Sequence, residues 1–493
     1  MTYRVIGIGL AMVVAVALAA GAWAADGDLK QVSGGGITVS YPPKFEAQAA
    51  KVLELARKSI QPSVEIHREM VSLLSDPAGL ATELTDMLGA EETSETTRTR
   101  LLVYKNKSAI LVGCFSNIRL VETASAVATG GVDAGALQVR YDKDSDSFKM
   151  ALDTESTDPD KAKSSYFPVF VNADGTIRAE SKLADMAVDF LGSSRAMLAA
   201  PIHETAVFVL TQQLNLYHPF TRWFTDGAGG WVTRRIVTKR APKLAPLVDE
   251  LFVPGAVAKK MRDKVNLLAW PQSAFQNRRE GHIDAALEVA QTQYAVEAIG
   301  QIIGGNRSGA LAKIVGEIKH NAGADTDIIC AAITKTTNTD AKKILMGYVP
   351  ADIKSGIESG EAKKLISQAD KLAQDKKWKE SEAKLSRALE MTPNDLNTRL
   401  NLAWIERELG DRLDSEIQVF TAARLLKKDS YSFHLFASSL EGNYVLARFA
   451  ILLGNLDYAR RFIEPVLEAN PNHEDAKRVM EEIKKIEGAA KGQ

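Results

Sequence analysis

The sequence predicts an α+β protein, with a small sheet near the N-terminus, a long helical stretch after it, and an all-α repeat array at the end. Short segments that alternate apolar and polar residues, the period of a half-buried strand, lie before Leu191. From Ser193 onward apolar residues return every three or four positions, which is the helical period. Beyond Pro350 the helical pattern copies itself along the chain.

The N-terminal stretch Met1 to Ala24 carries Arg4, an apolar run from Val5 to Ala20, and Ala22-Trp23-Ala24 before Ala25-Asp26. A basic start, an apolar centre and a small-x-small site read as a cleavable secretory signal, so the chain is expected to be exported to a periplasm or to the outside. An uncleaved anchor is the competing reading, because the run approaches the length that spans a bilayer. No later segment is apolar for long enough to cross a membrane. The remainder suffices for about two to four domains. Its 61 basic and 62 acidic residues give a formal charge of −1, or −2 once Arg4 is removed. So balanced a charge offers no field for nucleic acid. Two cysteines, Cys114 and Cys330, read as buried thiols or as one disulfide.

Residues 26–192 form the expected N-terminal lobe. Gly36 to Tyr41 alternates as a strand, and Phe45 to Leu74 places Ala49, Val52, Leu53 and Ala56 on one helical face. Glu91 to Arg98 reads as a surface loop. Leu101 to Tyr104 and Ser108 to Cys114 read as a hairpin turning at Asn106-Lys107, with a second pair at Ala136 to Tyr141 and Ser147 to Leu152. A third pair, Phe167 to Val171 and Thr176 to Arg178, turns at Asn172 to Gly175. The tip Asp142-Lys143-Asp144-Ser145-Asp146 has the start of a calcium loop. Ser147 stands where the bend needs glycine and Asp153 where glutamate would chelate, so a solvated hairpin tip is the better reading.

The helical lobe, residues 193–350, is ordered around Pro201 to Val237. An apolar helix carries His203-Glu204-Thr205-Ala206-Val207, and eighteen residues separate Val207 from Asp226 in Trp223-Phe224-Thr225-Asp226-Gly227-Ala228. In a zinc-peptidase helix two histidines at i and i+4 hold the metal while the glutamate between them polarises water. Here the second histidine is Val207. In the gluzincin clan the third ligand is a glutamate in a W-L-x-E-G-x-A helix at the spacing Asp226 occupies, so the segment resembles a gluzincin, or peptidase-MA-like, unit with a degenerate motif. The resemblance implies a zincin-like fold with a small sheet before the motif helix. If zinc is bound, it also implies His203 and Asp226 as ligands and Glu204 as general base. Catalytic zinc needs three protein ligands and an open position, and Val207 supplies none. His218 is no substitute, since fifteen residues of continuous helix carry it about 22 Å from His203. No cofactor is therefore expected. The helix Ala285 to Ile303 with Tyr294, the turn Gly304-Gly305 and the helix Ala310 to Ile318 resemble the post-catalytic helices of the same family, and extend the unit to about Val349. The basic run Arg234-Arg235, Lys239-Arg240 and Lys243 reads as a wet helix face or a docking face.

Residues 361–487 hold the repeats. Superposing stretches that end at Pro393, Lys427 and Pro471 aligns Ala369, Ala403 and Ala447, then Lys376, Gly410 and Gly454. It also aligns Ser381, Ser415 and Ala459; Leu385, Val419 and Ile463; and Ala388, Ala422 and Val466. The first two copies lie 34 residues apart and the third 44 further on, with the extra residues around Asp429 to Ser439. Small residues where two helices press together, with aliphatics between copies, resemble the tetratricopeptide repeat. Such a stack implies a solenoid with a groove for a peptide or partner helix. Glu474 to Ile486 is the expected capping helix and Gly488 to Gln493 a frayed tail.

The expected function is that of an exported protein-binding protein, pairing a pseudo-metallopeptidase unit with a repeat module. A zinc hydrolase with a third ligand from elsewhere, and a helical-repeat scaffold without peptidase ancestry, are the alternatives.

Overall fold

In the computed structural model the N-terminal strands join one mixed sheet, in the order β1-β2-β3-β4-β5-β6 among the described residues. The structure describes residues 29–122, 137–142, 147–152, 169–172, 194, 198, 200–216, 218–270, 285–304, 309–321, 324–426, 440–452 and 456–491. The secretory signal, the acidic tip at 143–146, the strand expected at 176–178, Gly305 and Gly454 lie outside them. The chain divides into two compact units. One comprises Met1–Thr82, Ser94–Ile202 and Arg235–Val248; the other comprises Glu83–Thr93, His203–Arg234 and Asp249–Gln493.

In the first unit, β1 (Lys30–Gly34) and β2 (Ile37–Tyr41) make an antiparallel hairpin closed by Gly35 and Gly36, both at positive φ. The strand β3 (Asn117–Glu122) runs parallel to β2 and to β4 (Leu137–Asp142). Next, β5 (Ser147–Leu152) pairs antiparallel with β4, Asp142 opposite Ser147, and with β6 (Val169–Asn172). Parallel neighbours cannot be joined by a tight turn. Between β2 and β3 the chain accordingly builds helices α1 (Glu46–Ser59), α2 (Gln61–Leu73), α3 (Pro77–Leu88) and α4 (Ser94–Ser116). Ile37, Val39 and Tyr41 turn inward and pack with Ala49, Val52, Leu53 and Ala56 of α1 and with Ile118 and Leu120 of β3. Each large aliphatic buried there contributes about 1.5–3 kcal/mol.

Three expectations for residues 45–116 are corrected. The stretch from Phe45 to Leu74 is two helices, because Pro62 in the first turn of α2 lacks the N–H that would continue the ladder. The loop expected at Glu91 to Arg98 is a 3-10 turn, Glu91–Thr93, followed by the start of α4. The hairpin expected from Leu101 to Cys114 does not exist: both halves and Asn106-Lys107 belong to α4. Its inward positions Thr97, Leu101, Ser108 and Phe115 keep helical spacing, but two of them are polar and hide it.

Three members of the basic run are drawn into ion pairs. Arg234 pairs with Asp249 at 2.7 Å in the second unit, and in the first Arg240 pairs with Asp76 and Lys243 with Glu69. Cys114 and Cys330 are both buried free thiols, and burial pushes Cys330 up to about 12.

The remaining described elements are helical. The segment 201–208 forms α5 and runs into a π-helical turn, Val209–Gln213, after which the chain reverses through Asn215 at φ 57. There follow α6 (Arg222–Arg240), α7 (Ala245–Phe252), α8 (Ala256–Met261), α9 (Ala285–Ile303), α10 (Ala310–Ile318), α11 (Thr326–Thr337), α12 (Ala341–Met346) and α13 (Ala351–Ser359). The starts of α11 and α12 are set by Asp325 and Asp340, whose carboxylates accept from Ile328 and Lys343 N–H.

Three helical hairpins follow among the described residues: α14 (Glu361–Gln374) with α15 (Trp378–Met391), α16 (Leu396–Glu408) with α17 (Arg412–Leu426), and α18 (Leu440–Leu452) with α19 (Leu456–Ala469). The copies agree in geometry as well as in residue size. Ala369, Ala403 and Ala447 are buried at the crossing within each hairpin, as are Ser381, Ser415 and Ala459 opposite them. Ser381 donates its hydroxyl to the Ala369 carbonyl at 2.9 Å. Lys376 and Gly410 both take the left-handed conformation, at φ 59 and 83, and both turns close through equivalent bonds: Lys377 N–H to Leu372 and Asp411 N–H to Glu406, each at 2.8 Å. The joint between hairpins also recurs. Asp395 caps α16 by accepting from Thr398 N–H, and His473 accepts from Ala476 N–H at the corresponding start of α20 (Glu474–Lys491). The tail expected to fray from Gly488 is helical as far as Lys491.

Candidate functional site

The residues of the degenerate metal motif come from α5 and α6. His203 and Val207 lie one turn apart on the face of α5 that meets α6. A side chain at Gly229 would come within 3.1 Å of both His203 Cδ2 and Val207 Cγ2, so glycine is what lets the helices approach. Phe252 packs on the His203 ring at 5.2 Å between centroids. Asp226, nearly one turn before Gly229, is 7 % exposed and acts electrostatically on His203. Burial disfavours an imidazolium here, but the Glu204 contact and the Asp226 carboxylate outweigh it and hold His203 above its ordinary range.

The structure therefore brings His203 and Asp226 together, and leaves Glu204 out. Its side chain is 56 % exposed, with one carboxylate oxygen 3.2 Å from His203 Nδ1. The expected straight helix from His203 to His218 is corrected, because the π-helical turn ends it; His218 lies in the reversal, where its Nδ1 accepts from Phe220 N–H. Asp226 is committed elsewhere: Oδ1 accepts from Arg222 Nε at 3.2 Å and Oδ2 from Thr225 Oγ1 at 3.4 Å. Arg222 also donates from Nη1 to Glu288 at 2.8 Å and stacks over the Trp270 ring at 4.3 Å. Burial opposes its charge, yet the two carboxylates prevail and raise it above the usual guanidinium range.

Zinc does not fit this arrangement. Val207 presents an alkyl group, a guanidinium already sits on the aspartate, and among the described residues no three His, Cys, Asp or Glu side chains form a metal-holding group. Arg222 and Glu288 were not singled out from sequence, although the Arg222/Asp226 spacing of four is a readable helix ion pair.

A second site lies in the repeat array. The first helices of the hairpins line a cavity of about 460 Å³, with Asp370 and Gln374 from α14, Asn401, Trp404 and Glu408 from α16, and Tyr444 and Arg448 from α18. Trp378 of α15 and Arg478 of α20 complete the wall. Arg448 is 6 % exposed; its guanidinium lies 5.1 Å from the Trp404 ring, donates to the Tyr444 hydroxyl at 2.9 Å, and interacts electrostatically with the Glu482 carboxylate of α20. Burying a cation is costly, and the aromatic faces together with the Glu482 carboxylate offset part of that. The sequence held a signal for these positions. Asp370, Trp404 and Arg448 each follow the repeated alanine directly, and Gln374 and Glu408 stand five residues beyond it.

Comparison with protein-family models, curated proteins and solved structures finds no match for this chain.

Proposed function

We propose that this protein is an exported recognition protein that holds a segment of another protein in the groove of a tetratricopeptide-like array, beside a gluzincin-like unit without peptidase chemistry. The groove that sets the buried Arg448 between Trp404 and Tyr444 carries the reading. It favours a ligand that brings an acidic group to the guanidinium and an aromatic or aliphatic group to the tryptophans. The repeated turn at Lys376 and Gly410 and the repeated cap at Asp395 and His473 support a tetratricopeptide-like stack. The approach of His203 and Val207 to Gly229 supports the gluzincin-like helix crossing, while the outward Glu204 and the occupied Asp226 speak against a working hydrolase.

In a titration of peptides pairing an acidic with an aromatic or aliphatic residue, Trp404→Ala and Arg448→Glu should each weaken the tightest binder at least about tenfold. Binding indifferent to both substitutions would move recognition away from the groove. Export has its own readout. The mature chain from a secreting host should begin at Ala25 by mass spectrometry, and an intact Met1 start would contradict a cleaved leader.

A further inference from the structure

The position that directly follows the repeated alanine faces the groove in each of the three hairpins, and its chemistry changes along the stack. It is a carboxylate at Asp370 on α14, an indole at Trp404 on α16 and a guanidinium at Arg448 on α18. The other charges of the lining keep that order: Glu408 joins the wall from α16 and Arg478 from α20. The groove is therefore acidic along the first two hairpins and basic along the third and the capping helix. Arg448 gives its hydrogen bond to the neutral Tyr444 hydroxyl, and Glu482, which acts on it electrostatically, already pairs with Arg407 at 2.6 Å. Two guanidiniums share that one carboxylate.

Taking the groove as the seat of a protein segment, as in the function proposed above, we propose that it selects a segment of mixed charge. The segment sets a basic residue against Asp370 and Glu408, an aromatic or large aliphatic residue on Trp404, and an acidic residue against Arg448 and Arg478. A segment with the same charge at both ends meets a like charge at one of them, and that repulsion discriminates more than the attraction does. The spacing follows from the stack. Ala369 of α14 shares one core with Leu402 and Ile405 of α16, and Trp404 meets Arg448 of α18, so neighbouring copies stand about 8–10 Å apart. An extended chain advances about 3.3 Å per residue, which places the three groups about three residues apart, as in Lys-x-x-Phe-x-x-Glu read in either chain direction.

The test titrates the full-length protein with three end-blocked peptides that differ only in their outer residues: Lys-x-x-Phe-x-x-Glu, Lys-x-x-Phe-x-x-Lys and Glu-x-x-Phe-x-x-Glu. Wild type should bind the first at least about tenfold more tightly than either of the others. Asp370→Lys combined with Glu408→Lys should transfer the preference to the doubly acidic peptide, and Arg448→Glu to the doubly basic one. Asp370 and Glu408 are exposed, so the lysine pair decides the matter alone should Arg448→Glu not fold. Equal binding of the three peptides that still requires Trp404, or a preference that the lysine pair leaves in place, would overturn the charge selection and leave the groove as the binding site. Binding that survives Trp404→Ala, or no binding of any of the three, would overturn both.

Discussion

Replacing Gly227 with alanine should destabilise the fold by about 2 kcal/mol, whereas the same exchange at Gly316 should stabilise it by about 1 kcal/mol. Both glycines sit inside helices, where alanine is the better helix former. On α10 the added methyl at Gly316 meets no heavy atom within 4 Å, so the gain in propensity is realised. On α6 the methyl at Gly227 would lie 2.7 Å from the Ala295 carbonyl oxygen and 2.8 Å from Ile299 Cγ1. A backbone oxygen cannot rotate away, so α6 and α9 must separate, and the packing lost exceeds the propensity gained. Urea unfolding of the two variants beside wild type measures the difference. Similar midpoints for both would mean that α6 and α9 are not in such close contact.

Acidification should cost the first unit up to about 3 kcal/mol through one histidine. His67 of α2 is 1 % exposed, stacks on Phe115 and, among the described residues, meets the Ser194 hydroxyl at 3.2 Å from Nε2, so burial pushes its imidazole from 6.5 down to about 4. The folded state resists the proton that the unfolded chain accepts. The contribution is therefore complete above pH 6.5 and is lost progressively as pH falls towards 4. His67→Gln should flatten the stability profile in that window, and a profile of unchanged slope would assign the acid sensitivity to other groups.

What was legible in the sequence follows from how each element is stabilised. The repeats were readable because small residues at Ala369, Ala403 and Ala447 answer one packing demand made repeatedly, and the joints recur with them. The helix α4 was misread because its buried stripe includes Thr97 and Ser108, while the consecutive Leu101-Leu102-Val103 imitates a strand. The motif around His203 disclosed which residues approach each other. It did not disclose Arg222's partner, since Glu288 lies 66 residues away and no local pattern announces an ion pair formed through tertiary packing. The groove lay in between: its register was present in the spacing, but knowing which side of a helix faces a cavity required the neighbouring helices.

The last wall of the groove belongs to α20, which contributes Arg478 and is tied to α16 by Glu482 on Arg407 at 2.6 Å. Its covalent link to the preceding hairpin is the exposed stretch Asn470-Pro471-Asn472. After a single protease cut there, α20 would be held only by its packing and by the Arg407 pair, and its departure would open the groove and uncover the apolar flank that Ala476, Val479 and Ile483 close. Under the proposed function, partner capture depends on α20 staying packed, and a nicked molecule whose α20 detached would lose its partner and expose an apolar flank.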